Sequence, residues 1–220
     1  MRKKDIFIII LMVFTAILIT IAGVYYQQSF LRILPLYVSL VISLLQTRIS
    51  RFASLMGGIN SLLYGAVYIY YSLYGSAFSA LLFSFPIQIL TFIRWNKNKW
   101  EHSTVLRKMS WKQRVIVLFG FIGALAVMWI LLPLIGAKYV FLDSIINLLG
   151  ILIYFLTMFA FVEYTFLMII NGVISIILYI TMLSDSPEIA TYLIYSVYSF
   201  ICIVFAFFQA KRLYDTQQQK

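Results

Sequence analysis

What most constrains this chain is a succession of apolar runs, each about as long as a bilayer is thick, with the charges confined to the gaps between them. A helix crossing about 30 Å of hydrocarbon needs about 20 mainly apolar residues. Such runs lie near residues 6–26, 32–47, 54–74, 77–95, 114–136, 140–160, 163–182 and 188–210. With 63% hydrophobic and 11% charged residues among 220, one soluble core would leave most of that apolar surface in water. The sequence therefore predicts an all-α integral membrane protein of about eight transmembrane helices. The first run follows "MRKKD" as a signal peptide might, yet "GVYYQQ" lacks a small-x-small cleavage pattern, so the run is read as a helix.

The formal net charge of +10 does not point to nucleic acid, because the basic residues form no continuous face. They mark topology instead. With the N-terminus in the cytoplasm, every lysine and arginine except Arg32 and Lys138 falls inside. The positive-inside bias then predicts a multi-pass protein of the cell (inner or plasma) membrane with both termini cytoplasmic. Cys202 is the sole cysteine and His102 the sole histidine, so disulfides and Cys- or His-cluster metal sites are excluded. No cofactor is implied. No nucleophile elbow, P-loop, dinucleotide fingerprint or metalloprotease motif occurs, which argues against an enzyme.

Sliding the chain on itself by 111 residues lays "INSLLYGAVY" (Ile59 to Tyr68) over "INGVISIILY" (Ile170 to Tyr179). The same offset lays runs two to four over runs six to eight and leaves run five unpaired. The organisation expected is an extra N-terminal helix (1–30), a first three-helix repeat (31–95), a basic cytoplasmic loop (96–113), a linker helix (114–139), a second three-helix repeat (140–210) and a cytoplasmic tail (211–220). Parallel repeats of three joined by an inverting helix describe a SWEET-like transporter architecture, with the substrate path between the triplets.

Polar side chains at membrane depth are costly unless they face protein or a water-filled lumen, so their spacing marks the inward faces. Asn60, Tyr64, Tyr68 and Tyr71 share one helical face, as do Ser84, Gln88, Thr91 and Trp95. The second half repeats this with Asp143, Asn147, Gly150, Tyr154 and Thr157; with Tyr164, Met168, Asn171, Ser175 and Tyr179; and with Tyr192, Tyr195, Ser199 and Cys202. Together they predict a lumen of amides, hydroxyls and phenol rings, suited to a neutral or singly charged ring compound bearing hydroxyls. An ion channel would instead need rings of carboxylates or carbonyls. The competing use of Asn60, Gln88, Asn147 and Asn171 is interhelical hydrogen bonding. Trp95, Trp100 and Trp111 flank the basic loop, where a membrane-interface anchor is the competing role. Pro86 removes a backbone bond two residues before Gln88, which predicts a kink there. Asp143 and Glu163 start consecutive helices and therefore sit at opposite membrane faces. They cannot form an acid/base pair, and Asp143 either orients a cationic ring at the outer mouth or caps its helix.

The segments "GGINSLLYGAVYIYYSLYG", "FPIQILTFIRWNKN", "FLDSIINLLG" and "INGVISIILYI" resemble the PnuC-type vitamin transporters over about residues 32–210. The most specific part is Pro-x-Gln with a tryptophan seven residues after the Gln and a basic tail: Pro86, Gln88, Trp95 and Lys97. The resemblance implies a SWEET-like transporter carrying nicotinamide riboside, or another phosphate-free vitamin precursor, by facilitated diffusion, with a cytoplasmic kinase trapping the substrate. It implies that Asn60, Gln88, Trp95, Asn171 and Tyr179 line the path. The stripes add Tyr68, Tyr195, Thr91, Ser175 and Ser199 as substrate contacts and Asp143 and Tyr164 as gate or mouth residues. Thr91 and Phe92 stand where the family has Gly and Trp, and Tyr164 and Leu167 where it has a Trp pair. Thiamine or another nucleoside-like compound therefore stays open as substrate. The expected partners are a small-molecule vitamin, membrane lipid and a functional link to a kinase, with a homo-oligomer left open. Two other roles are a substrate-binding subunit of an ATP-driven importer and a membrane scaffold.

Overall fold

The computed structural model describes residues 3–70, 79–134 and 140–219. Its eight α-helices are α1 (Lys3–Tyr25), α2 (Phe30–Gln46), α3 (Phe52–Tyr70), α4 (Phe85–Lys97), α5 (Trp111–Leu134), α6 (Val140–Met158), α7 (Tyr164–Met182) and α8 (Ala190–Gln218). By length and composition, α1, α5, α7 and the segment Pro187–Gln218 are each sufficient to cross a membrane, while α2 and Ser144–Met158 are shorter apolar helices. Two features depart from expectation. The stretch expected to be a tail continues α8 as far as Gln218. Helix four begins as a π-helical turn, Ser79–Ser84, before α4 proper. Pro86 stands at the start of α4, where its missing N–H falls at a change of helical type, so the expected mid-helix kink takes the form of a π-to-α junction.

One end of the bundle collects the basic residues. There α2 turns into α3 through a Schellman motif: Ile49 N–H donates to the Gln46 carbonyl (2.9 Å), Ser50 N–H to that of Leu45 (3.2 Å), and Ile49 takes φ 51°. The α6–α7 turn repeats this bond for bond. Ala160 N–H donates to Thr157 (2.9 Å), Phe161 N–H to Leu156 (2.9 Å), and Ala160 takes φ 59°. Every residue of the second turn lies 111 positions after its counterpart in the first.

The basic loop has its own structure. Strands β1 (Lys99–Trp100) and β2 (Ser103–Thr104) pair antiparallel. The loop then bridges the two turns: Arg51 N–H donates to the His102 carbonyl (3.1 Å), and Val162 N–H to that of Arg107 (2.9 Å). Gln217 fastens it to α8, accepting from Leu106 N–H (2.8 Å) and donating to the Thr104 carbonyl (3.0 Å). The two bonds from Gln217 satisfy backbone groups of Leu106 and Thr104, both buried. Leu106 and Met109 are buried beside Trp95, Tyr164, Ala206 and Ala210 in an apolar cluster.

A second cluster forms where α1, α2 and α8 meet, around Ile8, Ile19, Leu36, Leu40, Tyr198 and Cys202. Helix α1 thus rests on both α2 and α8. Arg48 reaches Asp5 of α1 at 3.6 Å, and the Phe7 and Phe205 rings meet edge to face at 6.4 Å. Helix α5 packs along α6 with Trp111, Ile116, Phe119 and Ile130 exposed, as a lipid-facing surface requires.

Candidate functional site

A cavity of about 300 Å³ is lined by residues of α2 to α4 and of α6 to α8. Gln46, Ile49 and Ser50 from the α2 end, Ala53 and Ser54 from α3, and Gln88, Thr91 and Trp95 from α4 form one side. Gly150, Ile153, Tyr154 and Thr157 of α6, Tyr164 to Tyr179 along one face of α7, and Tyr195, Ser196, Ser199 and Ile203 of α8 form the other. Among the described residues, none of the lining side chains is charged. The helical stripes thus converge: Gln88, Thr91, Trp95, Tyr164, Asn171, Ser175, Tyr179, Tyr195 and Ser199 all border this space.

Gln88 is held by a hydroxyl cluster. Its Nε2 donates to Ser61 Oγ (3.0 Å) and Ser84 Oγ (2.9 Å), and those two hydroxyls meet at 2.8 Å. Both amide hydrogens are therefore committed, and Oε1 is left to accept. That oxygen occupies the space beside Gly57, where a Cβ would overlap it. Tyr154 of α6 lies beside Ser84, while Ser43 of α2 meets the Tyr195 hydroxyl (3.3 Å) and Ser199 (3.4 Å) of α8. Hydroxyl contacts thus join the start of α4 to α6 and α2 to α8.

Trp95 is only 2% exposed; its Nε1 donates to the Thr157 carbonyl at 2.7 Å, and its ring centroid lies 6.4 Å from that of Tyr164. A membrane-interface anchor would sit at the bundle surface; this indole instead joins α4 to α6. Toward the other end Tyr179 packs against Tyr192 at 6.1 Å, with the Arg32 guanidinium 5.9 Å above the Tyr192 ring. Aromatic pairs therefore stand at both ends of the cavity.

The two asparagines matched by the internal offset behave differently. Asn60 donates through Nδ2 to Ser39 Oγ at 2.8 Å, buried between α2 and α3 and away from the cavity wall. Asn171 borders the cavity; among the described residues, the buried Oδ1 atoms of both asparagines are without a hydrogen-bond partner. The structure therefore does not bring Asn60 to the site. Asn147 is exposed and also lies outside the lining. The side chains of Tyr68 and Asp143, and Tyr71 as a whole, lie outside the described residues. Sequence reasoning missed Gly57 and Ser61, which hold Gln88, and Ser43, which reaches Tyr195. Ser61 follows Asn60 directly and so falls off the Asn60 stripe, while Gly57, one turn before Ser61 on its face, has no side chain to flag it.

Polar helical faces around one cavity with no charged side chain in its described lining, within a helical bundle of apolar spans, fit a membrane transporter. The comparisons give the particular family. The model described as "Nicotinamide mononucleotide transporter" matches residues 29–211. The chain belongs to that family, and α1 lies outside the matched region. Among solved structures, the "Crystal structure of the Vitamin B3 transporter PnuC" matches with a TM-score of 0.77 and 18% identity, covering 96% of this chain and 93% of that one. At that identity the likeness speaks to the fold. No curated protein sequence matches the chain.

Proposed function

We propose that the protein takes up nicotinamide riboside by facilitated diffusion with alternating access, and that a cytoplasmic kinase traps the product by phosphorylation. The observation that carries this is the uncharged lumen with its unpartnered acceptor, Asn171 Oδ1. A mononucleotide would bring a phosphate into a site whose described lining holds no cation, and an unpaired buried charge is costly. A riboside brings ribose hydroxyls and a carboxamide N–H, which are the donors that Gln88 Oε1 and Asn171 Oδ1 require. Tyr154, Tyr164, Tyr179, Tyr195 and Trp95 supply faces for its singly cationic ring in place of further tryptophans. Thr91, Ser175 and Ser199 add hydroxyls, and Tyr68 and Asp143 are proposed on the sequence stripes alone.

In this reading the basic end is cytoplasmic, the protein sits in the inner or plasma membrane, and residues 31–95 and 140–210 are parallel repeats that rock about the site. The matching Schellman turns at Ile49 and Ala160 support the repeat. The test is calorimetric titration of purified protein with nicotinamide riboside, nicotinamide mononucleotide, thiamine and a nucleoside panel, followed by uptake into liposomes containing this chain alone. Saturable riboside binding without mononucleotide binding, and uptake without ATP, are expected. Binding of thiamine alone would change the substrate and keep the mechanism. Uptake only with an ATP-hydrolysing partner would overturn facilitated diffusion, and unimpaired uptake by Gln88→Ala and Asn171→Ala at equal expression would reject their roles.

A further inference from the structure

On the α4 side of the cavity every polar side-chain hydrogen is already committed. The residues of α4 in the lining are Gln88, Thr91 and Trp95. Thr91 Oγ1 donates to the Ile87 carbonyl (2.7 Å), Trp95 Nε1 to that of Thr157 (2.7 Å), and Gln88 Nε2 to Ser61 Oγ (3.0 Å) and Ser84 Oγ (2.9 Å). What α4 has left to offer a ligand is oxygen lone pairs, those of Gln88 Oε1 and Thr91 Oγ1. An amide can present either its oxygen or its NH2, because the two ends have nearly the same shape. The choice is made one layer behind the wall. Ser61 is buried and absent from the lining, and its hydroxyl donates to the Gly57 carbonyl at 3.0 Å, one turn back on α3. A hydroxyl has one hydrogen, so Ser61 Oγ can only accept from Gln88 and, across their 2.8 Å contact, from Ser84. Ser84 has thereby committed its own hydrogen to Ser61 and can only accept from Gln88. Both serines present lone pairs to the amide, which meets them with its NH2.

We infer that Ser61 is a positioning residue for substrate selection: anchored on the Gly57 carbonyl, it orders the hydroxyl hydrogens so that Gln88 keeps its NH2 on the serines and offers its oxygen to the ligand. The ligand selected is one that donates, a ring compound whose substituent carries N–H or O–H, such as a carboxamide. A carboxylate at the same ring position brings only lone pairs and a charge, and it would meet an acceptor. Turning the amide round would require both serines to give up their present bonds, to Gly57 and to each other. Selection therefore resides in a network of neutral groups. Ser84 touches the same amide but is not equivalent to Ser61: its hydrogen is directed by Ser61, whereas that of Ser61 is directed by a backbone carbonyl. The inference deepens the proposed function and rests on it for the ring compound.

The test compares nicotinamide riboside with its carboxylate analogue, nicotinic acid riboside, by titration of Ser61→Ala and Ser84→Ala, each alone and in the Gln88→Ala background. The unmodified protein should bind the amide at least about tenfold more tightly than the acid. Ser61→Ala frees the Ser84 hydrogen to meet Gln88 Oε1, lets the amide turn, and should lower that preference at least about tenfold. Ser84→Ala leaves Ser61 anchored and should keep the preference within about threefold. A serine that only supports the fold would weaken both ligands alike and leave their ratio unmoved. Equal native affinities for amide and acid would overturn the inference. So would a ratio that Ser61→Ala leaves unchanged, that Ser84→Ala lowers as much, or that Ser61→Ala still lowers without Gln88. Failure of the unmodified protein to bind either riboside would count against the proposed function instead. Hydrogen exchange of the Gln88 side-chain NH2, followed by NMR with isotope-labelled glutamine, then decides the inference without ligand. Exchange at least about tenfold faster in Ser61→Ala than in the unmodified protein or Ser84→Ala is expected, and equal exchange would overturn it.

Discussion

Gly57→Ala tests how strictly the Gln88 amide must be placed. Gly57 is absent from the cavity lining, and a methyl group there would overlap Gln88 Oε1. The far end of a side chain yields more readily than the α3 backbone, so the amide should rotate away. In doing so it loses its bonds to Ser61 (3.0 Å) and Ser84 (2.9 Å). Those two neutral bonds, at about 1 kcal/mol each, weaken the fold by about 2 kcal/mol, and the separate loss of the ligand's own bond to the displaced amide, about 1 kcal/mol, gives about a fivefold loss in affinity. Replacing glycine by alanine in a helix contributes about 1 kcal/mol in the opposite direction to stability, so the variant should still fold, with Tm lowered by about 2–4 °C. The assay is titration with nicotinamide riboside, with Gln88→Ala as background control. Affinity within about twofold of the unmodified protein would refute the argument, because it would mean that the amide placement is not used in binding. An equal further loss in the Gln88→Ala background would refute it too, by showing that Gly57 acts through something else.

Three other perturbations follow from the contacts. Trp95→Phe keeps an aromatic ring but removes the 2.7 Å bond to the Thr157 carbonyl; that carbonyl still accepts from Ala160 N–H, so the loss of one hydrogen bond should cost about 1 kcal/mol and lower Tm by about 2–4 °C, read by thermal melting in detergent. Gln217→Ala removes both side-chain ties between α8 and the basic loop; amide exchange at Leu106 should accelerate at least about tenfold while that in α7 is unchanged, as measured by hydrogen-exchange mass spectrometry. The Arg114 to Glu163 ion pair is short at 2.7 Å but its arginine is 46% exposed; Arg114→Gln should cost under about 1 kcal/mol. Glu163→Ala should cost more, because Glu163 also accepts the Met109 N–H at 3.1 Å and its loss unpairs a backbone donor at a buried residue. Chemical denaturation of the two variants side by side checks that order.

Much of the site was legible from helical periodicity. A hydroxyl, an amide and an indole spaced as Ser84, Gln88 and Trp95 must share a face, and lipid cannot solvate that face, so it turns inward. The same argument placed Asn171, Ser175 and Tyr179 along the cavity. It failed for Asn60, because a stripe tells which way an amide points and not what the neighbouring helix offers it. The basic loop was legible as charge only. Its path over the two turns depends on backbone carbonyls of His102 and Arg107, which any sequence would supply.

What the sequence by itself determined is therefore the solvent, the class of fold and the inward faces, since each follows from the cost of putting polar groups into hydrocarbon and from the 3.6-residue period. What only the tertiary structure decided is which polar groups are tied to a neighbouring helix and which border the cavity. Asn60 and Asn171 stand in the same motif, 111 residues apart; the first donates to Ser39 between α2 and α3, and the second borders the cavity. A hydrogen bond between helices depends on atoms about 20 residues apart in the chain meeting at under 3.5 Å, and local periodicity carries no information about that meeting.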